Sequence, residues 1–295
     1  MRAPLVFCVA LLGCGFPEFR FAETGAPALD AASDDGDVAV EADADADAEV
    51  ADARTDATSG DADATSDAPS DAALDAPKAG CAAFPTATFC ADFDDVSSPS
   101  GGWTAAEITP SGSLTLESGA GRSLPNALLA ATTPSSTATL VMAYVHRQLT
   151  APAATTPMQL DAWFKLDQAV FPTTAGSTFL FKLERTGSDG DGVTLSLDRT
   201  GFFAERIGVS YERYPIMRAV KPGVWMHLRM DVVLHTTAGA LTIYIDDMTK
   251  SVVAAAGVST VKSDATARSV IVGLFSDRAT SPFQARFDDV ALWFR

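Results

Sequence analysis

Carboxylates are the side chains of this sequence best suited to acid–base chemistry, but their spacing does not favour it. Cleavage of a glycosidic bond with retention needs two carboxylates about 5 Å apart. After Glu117 the glutamates are Glu184, Glu205 and Glu212. None of them has a second carboxylate at a spacing that would place both on one face of a strand. The sequence therefore does not predict a paired-carboxylate hydrolase.

Consecutive aspartates are also poor candidates for such a pair. Neighbouring side chains of a strand point to opposite faces, so we expect the two carboxylates of each pair to diverge and to serve in turns. The pairs are Asp94–Asp95, Asp246–Asp247 and Asp288–Asp289. The histidines are isolated from one another, and no nucleophile elbow, phosphate loop or metal-binding histidine pair is present. A non-catalytic role is favoured.

Aromatic and planar polar side chains suggest binding instead, because such groups hold sugars. One group of candidates lies on the polar side of alternating segments: Trp163, Trp225, His227 and Tyr244. A second group lies within residues 201–214: Arg206, Tyr211 and Tyr214. Structural roles are the alternatives. His227 can be a packed histidine, and Phe202 and Phe203 can cap a core while the charged residues face solvent.

A short acidic loop raises the question of calcium. Ser188-Asp189-Gly190-Asp191-Gly192 resembles a calcium-binding loop, with Asp189 and Asp191 as ligands. A plain Gly-Asp turn explains the same residues. Calcium is therefore an open prediction, and no other cofactor is expected.

Alternating hydrophobic residues predict strands along most of the second part of the chain. Residues 226–234 and 241–245 place their apolar side chains on one face and predict a hairpin. Further strands are predicted at 88–95, 113–118, 139–149, 158–167, 177–185, 192–199, 201–211, 251–254, 269–275 and 286–294. No long segment repeats at helical spacing. The pattern predicts an all-β fold, a two-sheet antiparallel sandwich.

Several motifs resemble a known superfamily. Gly223-x-Trp225-x-His227-Leu228 and Leu241-x-Ile243-Tyr244-Ile245-Asp246 resemble paired strands of the concanavalin A-like lectin/glucanase superfamily, close to its laminin-G-like branch. Phe287-Asp288-Asp289-Val290 is similar to its closing strand, and Phe89-Cys90-Ala91-Asp92-Phe93 to an opening strand of lipoprotein versions. The resemblance spans about residues 85–295. It implies a jelly roll whose first and last strands pair, a fold that hosts lectins, glycosidases, lyases and spacers.

The N-terminus predicts export. Residues 1–13 combine a basic residue, a short apolar run and a small residue, as a signal peptide does. Leu11-Leu12-Gly13-Cys14 resembles the bacterial lipobox, which implies lipidation of Cys14; an ordinary signal peptide is the alternative. Cys81 and Cys90 then remain as an even pair in an oxidising compartment, where a disulfide is expected.

Residues 14–80 predict a disordered tether that follows the lipidated cysteine. Their composition is dominated by Ala, Asp, Ser, Thr and Gly, which cannot bury enough apolar surface to fold. Residues 1–80 hold 18 acidic and four basic residues, a charge of −14 out of the chain's −17. Residues 81–295, the predicted sandwich domain, therefore carry only −3, with no basic stripe for nucleic acid.

Together these features predict a lipoprotein of the bacterial cell envelope, anchored in the membrane and facing the periplasm or the cell surface. Its jelly-roll module is expected to bind a polysaccharide or glycoconjugate without catalysis. Two alternatives stay open: a polysaccharide hydrolase or lyase with a non-standard site, and a structural or adhesion module that binds protein.

Overall fold

The computed structural model describes residues 80–135, 140–169, 176–186, 190–276 and 281–295, except the side chains of 168 and 169. In these residues a 3-10 helix, Gly80–Ala83, precedes fifteen strands. The strands are β1 (Phe89–Ala91), β2 (Ala105–Ile108), β3 (Gly112–Ser118), β4 (Asn126–Thr132), β5 (Val141–Thr150), β6 (Met158–Ala169), β7 (Thr178–Arg185), β8 (Gly192–Asp198), β9 (Gly201–Ile207), β10 (Tyr211–Pro215), β11 (Trp225–Val233), β12 (Gly239–Ile245), β13 (Val253–Val258), β14 (Ala267–Ser276) and β15 (Phe283–Phe294). The predicted signal peptide, Cys14 and nearly all of the predicted tether lie outside the described residues.

The strands form two antiparallel sheets. Eight strands make one sheet in the order β13-β12-β11-β6-β15-β4-β3, with β1 paired to β15. Seven strands make the other, in the order β10-β9-β8-β7-β14-β5-β2. The two-sheet sandwich predicted from the alternating pattern is confirmed. No helix in the described part of the chain is long and apolar enough to cross a membrane.

Strict alternation builds the core between the two sheets. In β11, four alternate side chains are at most 1% exposed: Met226, Leu228, Met230 and Val232. Across the sandwich, Phe164 and Phe287 of the eight-stranded sheet pack edge-to-face on Phe181 of the other sheet, with ring centroids 5.6 and 5.3 Å apart. Leu228 of β11 lies opposite Ile245 of β12, so the predicted hairpin is confirmed.

Three strands were not predicted: β2, β4 and β10. The four residues of β2 lie at a sheet edge and are all partly or fully exposed, so they carry no hydrophobic alternation. In β4 the small alanines on both faces hide the pattern. The predicted strand 201–211 ends at Ile207, and a turn leads into the separate strand β10.

The described part of the chain starts on the outer surface of the eight-stranded sheet. The predicted disulfide between Cys81 and Cys90 is present, with a Cα separation of 5.7 Å. Cys90 lies opposite Ala291 in the β1–β15 pair, so the first and last strands are neighbours, as the resemblance implied. Phe89, the residue before Cys90, is in the core. The Cys90 side chain therefore points outward and holds Cys81 on that surface.

The closing strand β15 is irregular at Asp288–Asp289, contrary to the prediction for this pair. Asp289 has a left-handed φ of 49°, and the pairing of β15 with β6 shifts between Asp288 and Ala291. The Ser123 hydroxyl lies 2.7 Å from Asp289 Oδ1 and 3.4 Å from Asp288 Oδ2. The prediction that the two carboxylates diverge was wrong, because it assumed a regular strand.

Candidate functional site

Each sheet turns alternate side chains away from the core, so the sandwich has two outward surfaces. We call them the seven-strand face and the eight-strand face, after the sheet that carries each. In β8, Val193, Leu195 and Leu197 belong to the core. Thr194 and Ser196 therefore point outward on the seven-strand face. Cross-strand register extends this assignment to the neighbouring strands.

The centre of the seven-strand face is largely polar and shielded from solvent. Six of its side chains are at most 7% exposed: Lys182, Thr194, Ser196, Phe203, Ser269 and Ile271. The sandwich has two layers, so these residues are not covered by another sheet. Their low exposure means that they lie below the side chains and connections around them. We call this shielded centre of the seven-strand face the depression, and its polar side chains the floor.

A carboxylate organises the hydroxyl groups of this floor. The Tyr211 hydroxyl donates to Glu205 Oε1 at 2.6 Å. The Thr194 and Ser196 hydroxyls lie 3.0 Å apart, so one donates to the other, which in turn can donate to Glu205 Oε2; they lie 3.4 and 3.5 Å from that oxygen. Burial and the hydrogen bond to Glu205 raise the pKa of Tyr211, so its hydroxyl stays protonated. Glu205 can thus accept further hydrogen bonds from a ligand without being held by a cation.

The cations of the seven-strand face are already paired. Lys182 Nζ lies 2.6 Å from Glu184 Oε2. Arg213 forms an ion pair with Asp198, and its guanidinium lies 3.4 Å from the centroid of the Phe203 ring. Neither group is available to a ligand anion without giving up its carboxylate.

Aromatic rings border one end of the depression. Phe179 and Phe275 stack with centroids 4.7 Å apart, and Tyr144 lies 6.1 Å from Phe179. A register shift in β14 sets this arrangement, next to Gly273 at a φ of 135°. A Cβ on Gly273 would lie 2.4 Å from the Ala143 carbonyl oxygen, so only glycine fits. Burial and nearby glutamates raise the pKa of Tyr144 to about 12.

A shallow cavity of about 340 Å³ adjoins the other end of the face. It is lined by Gln148, Leu149, Thr150, Thr186 and Ala267. Ser269 lies opposite Gln148 on the neighbouring strand. Among the described residues, the buried hydroxyls of Thr186 and Ser269 have no hydrogen-bond partner. Both hydroxyl oxygens are shielded from solvent, and buried hydroxyls without partners are costly.

The candidates Trp163 and His227 lie on the eight-strand face, where neighbours already cover them. Their rings stack with centroids 4.5 Å apart and an interplanar angle of 5°. His227 Nε2 lies 2.6 Å from Asp161 Oδ1. The Arg122 guanidinium lies 4.7 Å from the Trp163 ring centroid. His227 belongs to β11, and the Arg122 amide binds Asp288 of β15, so they approach Trp163 from opposite sides of β6.

Trp225 and Tyr244 occupy the same face and also have partners. Lys165 lies 5.1 Å from the Trp225 ring centroid, and Arg229 lies 5.1 Å from that of Tyr244. Arg229 pairs further with Asp231 at 2.8 Å. These contacts connect the aromatic rings of the eight-strand face to charged residues of its own strands. A ligand-binding role for Trp163, Trp225, His227 and Tyr244 stays a prediction.

The second group of candidates is divided between two sides of the seven-stranded sheet. Tyr211 lies on the seven-strand face with Glu205. Arg206 lies on the inner side and is 5% exposed; its Nε is 3.3 Å from the Tyr214 hydroxyl. Arg206 also donates to the Ser259 carbonyl oxygen. Arg206 and Tyr214 therefore fasten the sheet edge to the connection after β13.

Sequence reasoning did not single out the floor of the depression. Lys182, Thr194, Ser196, Glu205 and Ser269 are distributed over four strands, and no motif joins them. A signal was present in β8, where Thr194 and Ser196 alternate with core residues on a central strand.

Only one of the two predicted calcium ligands lies among the described residues. Asp189 lies outside the described residues. Asp191 is fully buried, and its Oδ2 accepts the Lys262 amide at 2.8 Å and lies 3.7 Å from Arg185 Nε. Within the described ranges, no group of three or more His, Cys, Asp or Glu could hold a metal ion. Calcium at Asp189 and Asp191 stays a prediction.

Comparison with solved structures agrees with the fold. An endo-β-1,4-glucuronan lyase from the fungus Trichoderma reesei matches 71% of this chain and 96% of its own, with a TM-score of 0.57 and 16% identity. The cellulose-induced protein Cip1 matches 68% of this chain and 97% of its own, with a TM-score of 0.48 and 13% identity. An alginate lyase from Klebsiella pneumoniae matches 62% and 84%, with a TM-score of 0.46 and 11% identity.

These similarities show the fold and nothing finer. No family model matches the chain, and no curated protein matches its sequence. The chain has a jelly-roll-like β-sandwich fold.

Proposed function

We propose that this protein is a membrane-anchored lipoprotein of the bacterial envelope whose sandwich binds a polysaccharide or glycoconjugate on the seven-strand face without cleaving it. The depression on that face carries the proposal. It combines the partly exposed Glu205 and the exposed Tyr211 with aromatic rings at its border, the combination that orients and packs sugar rings. A similar fold in a glucuronan lyase is compatible with a polysaccharide ligand.

The size of the face suits a chain of sugars. From β10, the strand of Tyr211, to β14, the strand of Phe275, the face crosses four inter-strand spacings, which is about 19 Å. Tyr211 stands at one side, 55% exposed, and the Phe179–Phe275 pair stands towards the other. An oligosaccharide laid across the strands contacts both ends.

Catalysis is less well supported by the same residues. Glu184 and Glu205 lie two strands apart, roughly 10 Å or more between their backbones, whereas a retaining pair needs about 5 Å. The raised pKa of Tyr144 makes its hydroxyl a poor base near neutral pH. Lys182 is neutralised by Glu184, so it does not offer a free charge to stabilise a developing anion.

The proposal is tested with the full-length protein on a glycan array and on cell-wall polysaccharides in a pull-down. We expect binding that Tyr211→Ala weakens at least fivefold. Tyr244→Ala is the matched control, since it removes the same side chain from the eight-strand face. A folded protein that binds no glycan would refute the proposal, and a protein partner insensitive to sugar competition would favour an adhesion role. Reducing-sugar release or unsaturated uronate absorbance would favour the enzymatic alternative.

The anchor is a separate part of the proposal and rests on the lipobox-like residues that end at Cys14. The chain enters the sandwich at Gly80, on the outer side of the eight-stranded sheet, so the seven-strand face lies opposite the point of attachment. We expect Cys14→Ala to release the protein from the membrane fraction. Unchanged membrane retention would show that acylation of Cys14 is not the anchor.

A further inference from the structure

We propose that the ligand of the seven-strand face is a neutral polysaccharide and not a polyuronate. This inference rests on the proposed function and specifies its substrate class. The inference concerns the charge of the ligand. The glucuronan and alginate lyases of similar fold are named for acidic polymers.

The charges on the face add up to a negative surface. The described strands place two cations on it, Lys182 and Arg213, both in ion pairs. They place four carboxylates on it: Glu107, Glu184, Asp198 and Glu205. With neutral histidine, the face carries two more negative than positive charges.

A polyuronate brings one carboxylate with every sugar unit, and each would need a cation. Lys182 is 7% exposed and lies against Glu184, so it cannot serve without losing its partner. Like charges in a shielded depression repel more strongly than in open water, because less solvent screens them. The carboxylates of the seven-strand face therefore disfavour uronate chains.

The hydroxyl groups of a neutral sugar fit the groups of the face that are not in ion pairs. Glu205 has hydroxyl donors as its hydrogen-bond partners and has further acceptor capacity for sugar hydroxyls. Tyr211 is 55% exposed, so its ring and its hydroxyl can contact a polyhydroxy ligand. These groups recognise hydroxyls without requiring a charge on the ligand.

The test compares neutral and acidic hexasaccharides of matched linkage, cellohexaose and a β-1,4-glucuronate hexamer, by calorimetry on the full-length protein. We expect the neutral chain to bind at least tenfold more tightly, with an affinity that changes less than twofold between 50 and 500 mM salt. Equal or tighter binding of the glucuronate hexamer would overturn this inference and leave the proposed function standing. Failure of the glycan array and of all saccharide probes would overturn the proposed function itself.

A charge variant gives an independent readout. Glu184→Gln releases Lys182 from its carboxylate and should improve binding of the glucuronate hexamer at least fivefold, with little change for cellohexaose. Glu117→Gln removes the same charge on the eight-strand face, where Glu117 pairs with Arg286, and should leave both affinities unchanged. Equal gains in the two variants would mean that net charge and not the Lys182–Glu184 pair governs selectivity.

Discussion

Asp288 and Asp289 are consecutive residues whose carboxyl groups meet at one serine hydroxyl. Ser123 contacts both, and Asp288 Oδ2 also accepts the backbone amides of Arg122 and Ser123, at 2.6 and 3.0 Å. Asp288 is fully buried and Asp289 is 5% exposed. Burial, and secondly the charge of Asp289, raises the pKa of Asp288 to about 8. Burial also raises the pKa of Asp289.

This pair predicts a stability that declines with rising pH. In the unfolded chain Asp288 ionises near its ordinary pKa of 3.8, whereas in the folded protein it holds its proton up to about pH 8. Its stabilising contribution is therefore complete below pH 4 and is lost as pH rises through 8. The slope is at most about 1.4 kcal/mol per pH unit. Urea unfolding of the wild type at pH 5, 6.5 and 8 measures it.

Two variants isolate the responsible group. Asp288→Asn removes the titrating group. We therefore expect the free energy of unfolding of this variant to fall less between pH 5 and 8 than that of the wild type. Asp289→Asn removes the second cause of the raised pKa of Asp288 and also the raised pKa of Asp289 itself, so a smaller slope should remain. If the wild type and Asp288→Asn vary with pH in parallel, Asp288 is not the group that titrates.

The disulfide predicts a measurable loss of stability when it is removed. Cys81 and Cys90 are nine residues apart, and closing a loop of this length is expected to stabilise the folded state by about 2–3 kcal/mol. Cys81→Ser with Cys90→Ser should lower the free energy of unfolding by that amount. Reduction of the wild type is the matched comparison and should give the same loss. A change below roughly 0.5 kcal/mol in both would show that the loop is held by its other contacts.

Much of the sandwich could be predicted because its strands alternate cleanly. β11 and β12 bury every second side chain, and the sequence pattern gave their faces and pairing. β4 could not be found this way, because alanine is small enough for either face. The turn of Asp289 to a positive φ could not be predicted either, since it depends on contacts with Ser123, 166 residues earlier.

The binding surface was harder to predict than the fold. Periodicity correctly put Trp163 and His227 on the side of their strands away from the core. It could not show that Arg122, more than 40 residues from Trp163 in sequence, covers the same ring. Nor could it assemble Lys182, Thr194 and Glu205, which only the order of β7, β8 and β9 brings together.

Trp163 tests whether the eight-strand face has a packing role. Because His227 and Arg122 lie against its ring, Trp163→Ala should lower the free energy of unfolding by about 1–3 kcal/mol, less than for a fully buried tryptophan. Glycan affinity should change less than twofold in the folded variant. Chemical denaturation and calorimetry check the two effects separately. A large loss of affinity with unchanged stability would place the ligand on the eight-strand face instead.

Tyr211 should show the opposite behaviour. Its side chain is 55% exposed, so Tyr211→Phe should change the free energy of unfolding by no more than about 0.5 kcal/mol. The variant keeps the ring but loses the hydroxyl that donates to Glu205 at 2.6 Å. Glu205 is then free to reorient, and a ligand loses an ordered acceptor, so glycan affinity should fall roughly three- to tenfold.

Tyr211→Ala should lose more affinity, because the ring itself is removed. If Tyr211→Phe binds like the wild type and Tyr211→Ala binds more weakly, Tyr211 contributes through its ring and not through its hydroxyl. Unchanged affinity in both variants would move the ligand away from this side of the depression.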